Sequence, residues 1–138
     1  MNLKREMYSK LQETANARWK NLTNCRVARI TWPLYDIKRT RALMTMSRSE
    51  CSRTIAIYTG HWPISDYAER LRISCNTSYR NCLQSSERET LYHFLCECPA
   101  LSTLRSKLLE NYYLGNIEDI SNISVRRVER FAFSTKWV

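Results

Sequence analysis

The residues of this chain best suited to chemistry are two cysteines and a histidine that follow one another closely. Cys82 is followed by His93 and then by Cys98, which immediately precedes Pro99. Thiolate and imidazole are the side chains that zinc prefers, and a structural zinc site needs four such ligands in a tetrahedron. The residue types therefore predict three ligands of a small zinc site.

Helix signals around these ligands predict that two of them lie close together. Ser86 and Glu89 have the spacing of a capping box, which predicts a helix that begins there and places His93 about two turns into it. Proline is tolerated at the first position of a helix, so Pro99 places Cys98 at the junction between two helices. We therefore expect His93 and Cys98 to share one ion.

Two motifs in this part of the chain resemble a known family. They are Thr59-Gly60-His61 and the run Glu89-Thr90-x-x-His93, followed by Cys98-Pro99-Ala100-Leu101. Together they resemble the cysteine and histidine region, similar to a zinc knuckle, at the C-terminus of jockey-like or I-element-like non-LTR retrotransposon polyproteins. In that family the region follows the reverse transcriptase and ribonuclease H. Looser similarity at Trp19, at residues 39–48 and at residues 131–138 extends the resemblance over nearly the whole chain.

The chain departs from the family pattern at one predicted ligand. The family has a Cys-x-x-Cys pair before the glutamate and threonine, and here that pair reads Tyr79-Arg80-Asn81-Cys82. A phenol with a pKa of about 10 stays protonated at neutral pH, so Tyr79 is a poor zinc ligand. Cys75 is the preferred replacement, and Cys96 or His61 are alternatives. A degenerate site that holds no metal is the remaining alternative.

The composition predicts a mostly α protein. The 138 residues fit a single domain, 1–138, and a chain of this length buries about two thirds of its unfolded surface. Only two glycines and three prolines occur, which favours long helices over tight hairpins. We expect a compact bundle of about five helices, with a small Cys/His loop-helix module at residues 75–98.

Apolar periodicity and capping signals predict where most of these helices lie. The first runs to about Trp19, another spans residues 47–60 between a Ser47/Glu50 capping box and Gly60, and a third spans residues 99–114 before Gly115. A short helix is expected at residues 65–71 and the last one at residues 123–134. Residues 21–38 are expected to be irregular, with one short strand conceivable near residues 30–35.

The positive charge is concentrated at one end of the chain. The formal net charge is +9, and residues 1–48 hold eleven Lys or Arg against three Asp or Glu, whereas the other ninety hold eleven against ten. Such asymmetry indicates an acidic partner, most simply RNA or DNA phosphate. The predicted nucleic-acid-binding residues in this basic N-terminal part are Lys4, Arg5, Lys10, Arg18, Lys20, Arg26, Arg29, Lys38, Arg39 and Arg41.

The sequence argues against catalysis. Two-metal nucleotidyl chemistry needs several convergent carboxylates, and the acidic residues here are mostly dispersed singly. His61 and His93 are the only candidate bases, and no triad is evident. The resemblance implies a noncatalytic, nucleic-acid-binding accessory domain or remnant of a retrotransposon polyprotein, with zinc as its only cofactor. The alternative is a helical protein-interaction or structural domain, with no metal and no nucleic-acid role, that docks an acidic protein.

The expected location is intracellular, either cytoplasmic or nuclear. No apolar run has the length of a signal peptide or of a membrane span, so no membrane association is expected. In a reducing compartment the six cysteines should be thiols, with Cys25 and Cys51 as small buried residues. The sequence leaves open the choice between RNA and DNA, the oligomeric state, and whether the chain is a functional protein or a decayed fragment.

Overall fold

The structure, a computed structural model, describes residues 2–62, 71–72, 90–111 and 113–136. In these ranges the protein is mostly α and no residue lies in a β-strand, and five of the α-helices have eight or more residues. The expectation of a mostly α bundle of about five helices is confirmed. The helices are α1 (Leu3–Lys20), α2 (Arg26–Thr31), α3 (Ile37–Met44), α4 (Arg48–Thr59), a π-helical turn (His93–Glu97), a 3₁₀ helix (Pro99–Leu101), α5 (Ser102–Leu109), a 3₁₀ helix (Ile117–Asn122) and α6 (Val125–Ser134).

Helix α4 begins and ends where its local signals predict. The Ser47 hydroxyl accepts the backbone N–H of Glu50, and the Glu50 carboxylate accepts the backbone N–H of Ser47, at 3.2 and 2.7 Å. These two bonds satisfy donors that the first helical turn leaves without partners. Gly60 ends the helix in the left-handed region, with φ +77°. The predicted capping box and glycine stop are both confirmed.

The predictions for residues 21–38 and for residues 99–114 are wrong. Residues 26–31, near the conceivable strand, form α2 instead, preceded by Cys25 with φ 55°. The predicted helix at residues 99–114 is a 3₁₀ turn followed by α5, which ends at Leu109 because Glu110 takes a left-handed conformation, with φ 64°. The last helix is confirmed, as Val125–Ser134. The predicted 65–71 helix and the Ser86/Glu89 capping box lie outside the described residues, apart from Leu71.

The core lies between α4, the π-helical turn and α6. Phe94, at 0% exposure, packs between Trp62 and Phe131, with ring centroids 5.6 and 5.4 Å apart. Val128 is also fully buried, one turn before Phe131 on the same face of α6. Aromatic rings at such separations stabilise a core beyond the area that they bury. These contacts hold the π-helical turn against α4 and α6.

Helix α1 lies at the periphery, and none of its residues is buried. It is anchored near its C-terminal end, where the Trp19 indole N–H donates to the carbonyl of Trp32 at 2.9 Å and the Asn16 side chain accepts the N–H of Tyr35 at 3.0 Å. Most of α1 is therefore exposed to solvent.

Within the part of the chain that the structure describes, no helix is long and apolar enough to cross a membrane.

Candidate nucleic-acid interface

The structure exposes most of the basic side chains that the sequence singles out. Eight of the ten are exposed, Arg29 is half-buried and Arg39 is buried. The exposed ones lie along α1, at the start of α2 and on α3. Solvent-exposed lysine and arginine can reach phosphate without first losing a protein contact.

Arg39 differs from the other nine because its side chain is part of the interior. It is 8% exposed, and its guanidinium lies 4.0 Å from the centroid of the Trp32 ring and 4.9 Å from that of Tyr58. Its two terminal nitrogens donate to the carbonyl of Thr31 at 3.3 Å. We therefore leave Arg39 out of the proposed set of phosphate contacts.

Three of the basic side chains surround one hollow between α1 and α2, which we call the junction site. Lys20 ends α1, and Arg26 and Arg29 lie one turn apart on α2. Together with the Trp19 indole they line a hollow of about 260 Å³, whose lining includes no acidic residue. Three cations around one concave surface raise the local positive potential more than scattered charges do.

Hydrogen bonds orient two members of the junction site. The Trp19 indole N–H bond to Trp32 fixes the ring, and Arg29 Nε donates to the carbonyl of Asn24 at 2.9 Å. No ion pair joins Lys20, Arg26 or Arg29 to a carboxylate in the described part of the chain. The junction site therefore offers positive charge that no described acidic side chain neutralises.

Three arginines of α4 and α6, in contrast, lie beside carboxylates. Arg53 contacts Glu129 at 2.8 Å, Arg126 lies 4.0 Å from Glu50, and Arg127 pairs with Glu110. These carboxylates offset the positive charge of α4 and α6. The N-terminal part is therefore the more basic surface for two reasons. It has more Lys and Arg residues than Asp and Glu residues, and the carboxylates just described pair with arginines elsewhere in the chain.

Two of the four predicted zinc ligands, His93 and Cys98, lie within the described residues. They are 7% and 0% exposed. The N–H of Cys98 donates to the carbonyl of His93 at 2.7 Å, which closes an i→i+5 turn. Because one such bond spans one turn, Cys98 lies a turn above His93, at the start of the 3₁₀ helix. Cys75, Cys82 and Tyr79 lie outside the described residues.

A buried arginine lies beside Cys98. Arg105 is 0% exposed, and its guanidinium donates to the carbonyls of Leu95, Phe94 and Cys98 at 2.7 to 3.3 Å. Burial lowers the pKa of Arg105, and the two nearby thiols of Cys96 and Cys98 oppose that shift. These bonds hold the backbone of the π-helical turn and of Cys98 against α5.

The two alternative ligands are less suited to zinc. Burial raises the pKa of Cys96 to about 12, which keeps that thiol protonated at neutral pH. His61 is exposed, and its Nδ1 lies 3.2 Å from the Thr59 hydroxyl. In the described ranges no group of three or more His, Cys, Asp or Glu residues converges. A zinc ion held by His93 and Cys98 would therefore need ligands from outside these ranges, as the sequence predicts for Cys75 and Cys82.

Two features of this region escaped the sequence analysis. Arg105 and Leu109 of α5 are buried, as is Leu101 just before the helix, whereas the spacing of the apolar residues suggests that Leu104 and Leu108 face inward. Residues 101, 105 and 109 are spaced by four, which is the signal in the sequence that could have revealed the buried arginine. The expectation that Cys25 is buried is also wrong, because its side chain is exposed at the start of α2. Cys25, Cys51 and Cys96 form no disulfide within the described part of the chain.

Comparison with known proteins adds no family to these observations. No family model matches the chain, and no curated protein and no solved structure shows a significant match to it. The resemblance to the retrotransposon region therefore stays a prediction. The function has to be inferred from the residues and their arrangement.

Proposed function

We propose that this protein binds RNA or DNA through phosphate contacts made by its basic N-terminal part, as a noncatalytic accessory domain or remnant of a retrotransposon polyprotein. The observation that supports this most directly is the junction site, where Lys20, Arg26 and Arg29 surround one hollow without an acidic neighbour. Phosphate contacts of this kind supply affinity and little sequence preference.

The remaining exposed bases extend the proposed contact surface beyond the junction site. Lys4, Arg5, Lys10 and Arg18 lie on α1, and Lys38 and Arg41 lie on α3. Since α1 has bases on several faces, one phosphate backbone cannot meet all nine accessible residues. We expect about five contacts at once, which gives a slope of log affinity against log salt of about −4 to −5 on duplex DNA.

The experiment is a fluorescence anisotropy titration of labelled duplex DNA and single-stranded RNA across a range of salt. Changing Lys20, Arg26 and Arg29 together to Gln should reduce the slope by about 2 to 3, since each phosphate contact contributes about 0.9. The matched control changes Arg126, Arg127 and Arg130 to Gln, which removes the same formal charge. It should have a smaller effect, because Arg126 and Arg127 lie beside Glu50 and Glu110.

Undetectable binding of the unmodified chain at about 50 mM salt, where phosphate contacts are strong, would refute the proposal. Equal effects of the two triple substitutions would show that net charge alone, and not the junction site, determines binding. Circular dichroism of each variant confirms that the helices are retained.

The absence of catalysis is part of the same proposal. Several described carboxylates have structural partners: Asp36 caps α3, Asp119 caps the 3₁₀ helix at residues 117–122, and Glu129 pairs with Arg53. Dispersed carboxylates do not form the cluster that two-metal cleavage needs. We expect no cleavage of hybrid, duplex or single-stranded nucleic acid with Mg²⁺ or Mn²⁺. Metal-dependent turnover that one acidic substitution abolishes would contradict this.

Zinc stabilisation of the Cys/His module is also proposed. His93 and Cys98 are both buried, and the backbone N–H of Cys98 donates to the carbonyl of His93 one turn before it. Zinc there would fix the π-helical turn, and Cys75 and Cys82 would complete the ligand set. The proposed intracellular location agrees with thiols that stay reduced for metal binding.

A further inference from the structure

Helix α1 has an apolar stripe that the described protein leaves uncovered. Leu3, Met7, Leu11 and Ala15 recur every four residues, and Tyr8 lies beside them. The first three and Tyr8 are 62 to 71% exposed. Rows of side chains four apart are the ridges that pack into the grooves of another helix. The stripe is about 18 Å long, which suits a partner helix of about twelve residues.

The same stripe forms one wall of a hollow between α1 and the segment that leads into α3. This hollow, the α1 groove, has a volume of about 940 Å³. Tyr8, Leu11 and Ala15 line it on one side, and the exposed apolar side chains of Leu34, Tyr35 and Ile37 line the other. Apolar side chains on two facing walls are typical of a groove that receives an amphipathic helix.

The charges at the α1 groove determine which partner fits. At 3.6 residues per turn, Lys4 and Arg18 fall within the apolar stripe of α1, whereas Glu6 and Glu13 fall on the opposite face. Lys38 lines the other side of the groove together with the half-buried Asp36. The Asp36 carboxylate is engaged, because its Oδ1 accepts the backbone N–H groups of Lys38 and Arg39. The exposed charged side chains at the groove are therefore basic, which disfavours a second copy of this chain and favours an acidic partner.

We propose that the α1 groove docks an amphipathic helix of a partner protein whose polar face is acidic. The apolar face of that helix packs on Tyr8, Leu11 and Leu34, and acidic side chains beside it meet Lys4 and Lys38. Lys20, Arg26 and Arg29 of the junction site do not line this groove, whereas Lys4 and Lys38 belong to both proposed contact surfaces. Substitutions of the apolar lining, which remove no basic side chain, therefore test protein docking apart from nucleic-acid binding.

The experiment uses the full chain and two labelled synthetic helical peptides as probes. Both have leucine at every third and fourth position, and the remaining positions are glutamate in one peptide and lysine in the other. Anisotropy titrations should show that the Leu/Glu peptide binds about tenfold or more tightly than the Leu/Lys peptide, because only the former complements the basic side chains at the groove. Equal affinities, or no binding of either peptide, would overturn the proposal.

Substitutions at the groove give the second measurement. Tyr8→Ala with Leu11→Ala should weaken binding of the Leu/Glu peptide about tenfold or more, because each removes apolar surface from the contact. Both side chains are exposed, so folding should be unaffected. Met44→Ala, which truncates an 82% exposed side chain on α3, is the matched control and should leave affinity unchanged. An unchanged affinity of the double variant would refute the groove as the docking site.

Two further experiments test whether a second copy of the chain or a membrane surface, and not a partner helix, occupies the α1 groove. Sedimentation that shows a dimer dissociated by the Tyr8 and Leu11 substitutions would assign the groove to a second copy and overturn the proposal. Binding to phosphatidylcholine–phosphatidylserine vesicles that the same substitutions abolish, without peptide binding, would assign it to a membrane surface. The double variant should keep the nucleic-acid affinity of the unmodified chain, and loss of that affinity would contradict the separation of protein docking from nucleic-acid binding.

Discussion

Cys98 donates its backbone N–H to the carbonyl of His93 at 2.7 Å, so two predicted zinc ligands lie at the ends of one π-helical turn. Such turns are rare and often occur at functional sites. The bond places residue 98 one turn above residue 93, and both side chains are buried. The two backbones are therefore close, and the first prediction tests whether their side chains share an ion.

The chain purified under reducing conditions should retain about one zinc ion, as a closed structural site does. Cys98→Ser and His93→Gln should each release it, as should Cys82→Ser, measured by elemental analysis and by a colorimetric chelator. Cys25→Ser is the control, because Cys25 is exposed at the start of α2. If the unmodified chain takes up no zinc, the result would support the alternative of a degenerate site that holds no metal.

Arg105→Met should reduce the free energy of unfolding by about 3 kcal/mol, because it leaves buried carbonyl groups without their donors. Those groups belong to Leu95, Phe94 and Cys98. Urea unfolding followed by circular dichroism measures the loss. Lys107→Met, at an exposed position of the same helix, is the matched control and should cost about 0.5 kcal/mol or less. Equal losses would show that the guanidinium bonds do not stabilise the core.

Gly60→Ala should destabilise the protein by at least about 1 kcal/mol, since a side chain in the left-handed region is strained. An added Cβ would also lie 3.0 to 3.2 Å from the side chain of Val27. Gly115→Ala is the control, because its Cβ would approach only Asp119 Oδ2, at an ordinary 3.5 Å. Thermal unfolding compares the two variants, and a Gly60→Ala protein as stable as the control would contradict the role of the turn.

The fourth prediction concerns pH. Hydrogen bonds from Ser47 lower the pKa of Glu50, with a smaller contribution from Arg126. A depressed carboxyl pKa stabilises the folded state above the ordinary glutamate pKa, and this stabilisation is lost as the pH falls through the lower folded value. Urea unfolding across acidic pH should therefore show a shallower decline for Glu50→Gln than for the unmodified chain. Glu118→Gln, at an exposed position, should leave the decline unchanged. Identical acid profiles of the Glu50 variant and the unmodified chain would refute the assignment.

The sequence by itself determined the features that depend on neighbouring residues. The ends of α4 follow from Ser47, Glu50 and Gly60, because a capping box and a left-handed stop act within four residues. The position of Cys98 directly before the 3₁₀ helix also follows from a neighbouring residue, because Pro99 begins that helix. The mostly α class and the uneven charge are likewise properties of composition.

Only the tertiary structure decided which side chains are available for function. Arg39 is indistinguishable from Arg41 in sequence, yet contacts with Trp32 and Tyr58 bury it while Arg41 stays exposed. The pairing of Arg53 with Glu129 joins residues 76 positions apart. Burial and ion pairing depend on how distant elements pack. Local propensity therefore did not reveal the junction site, the α1 groove or the buried Arg105.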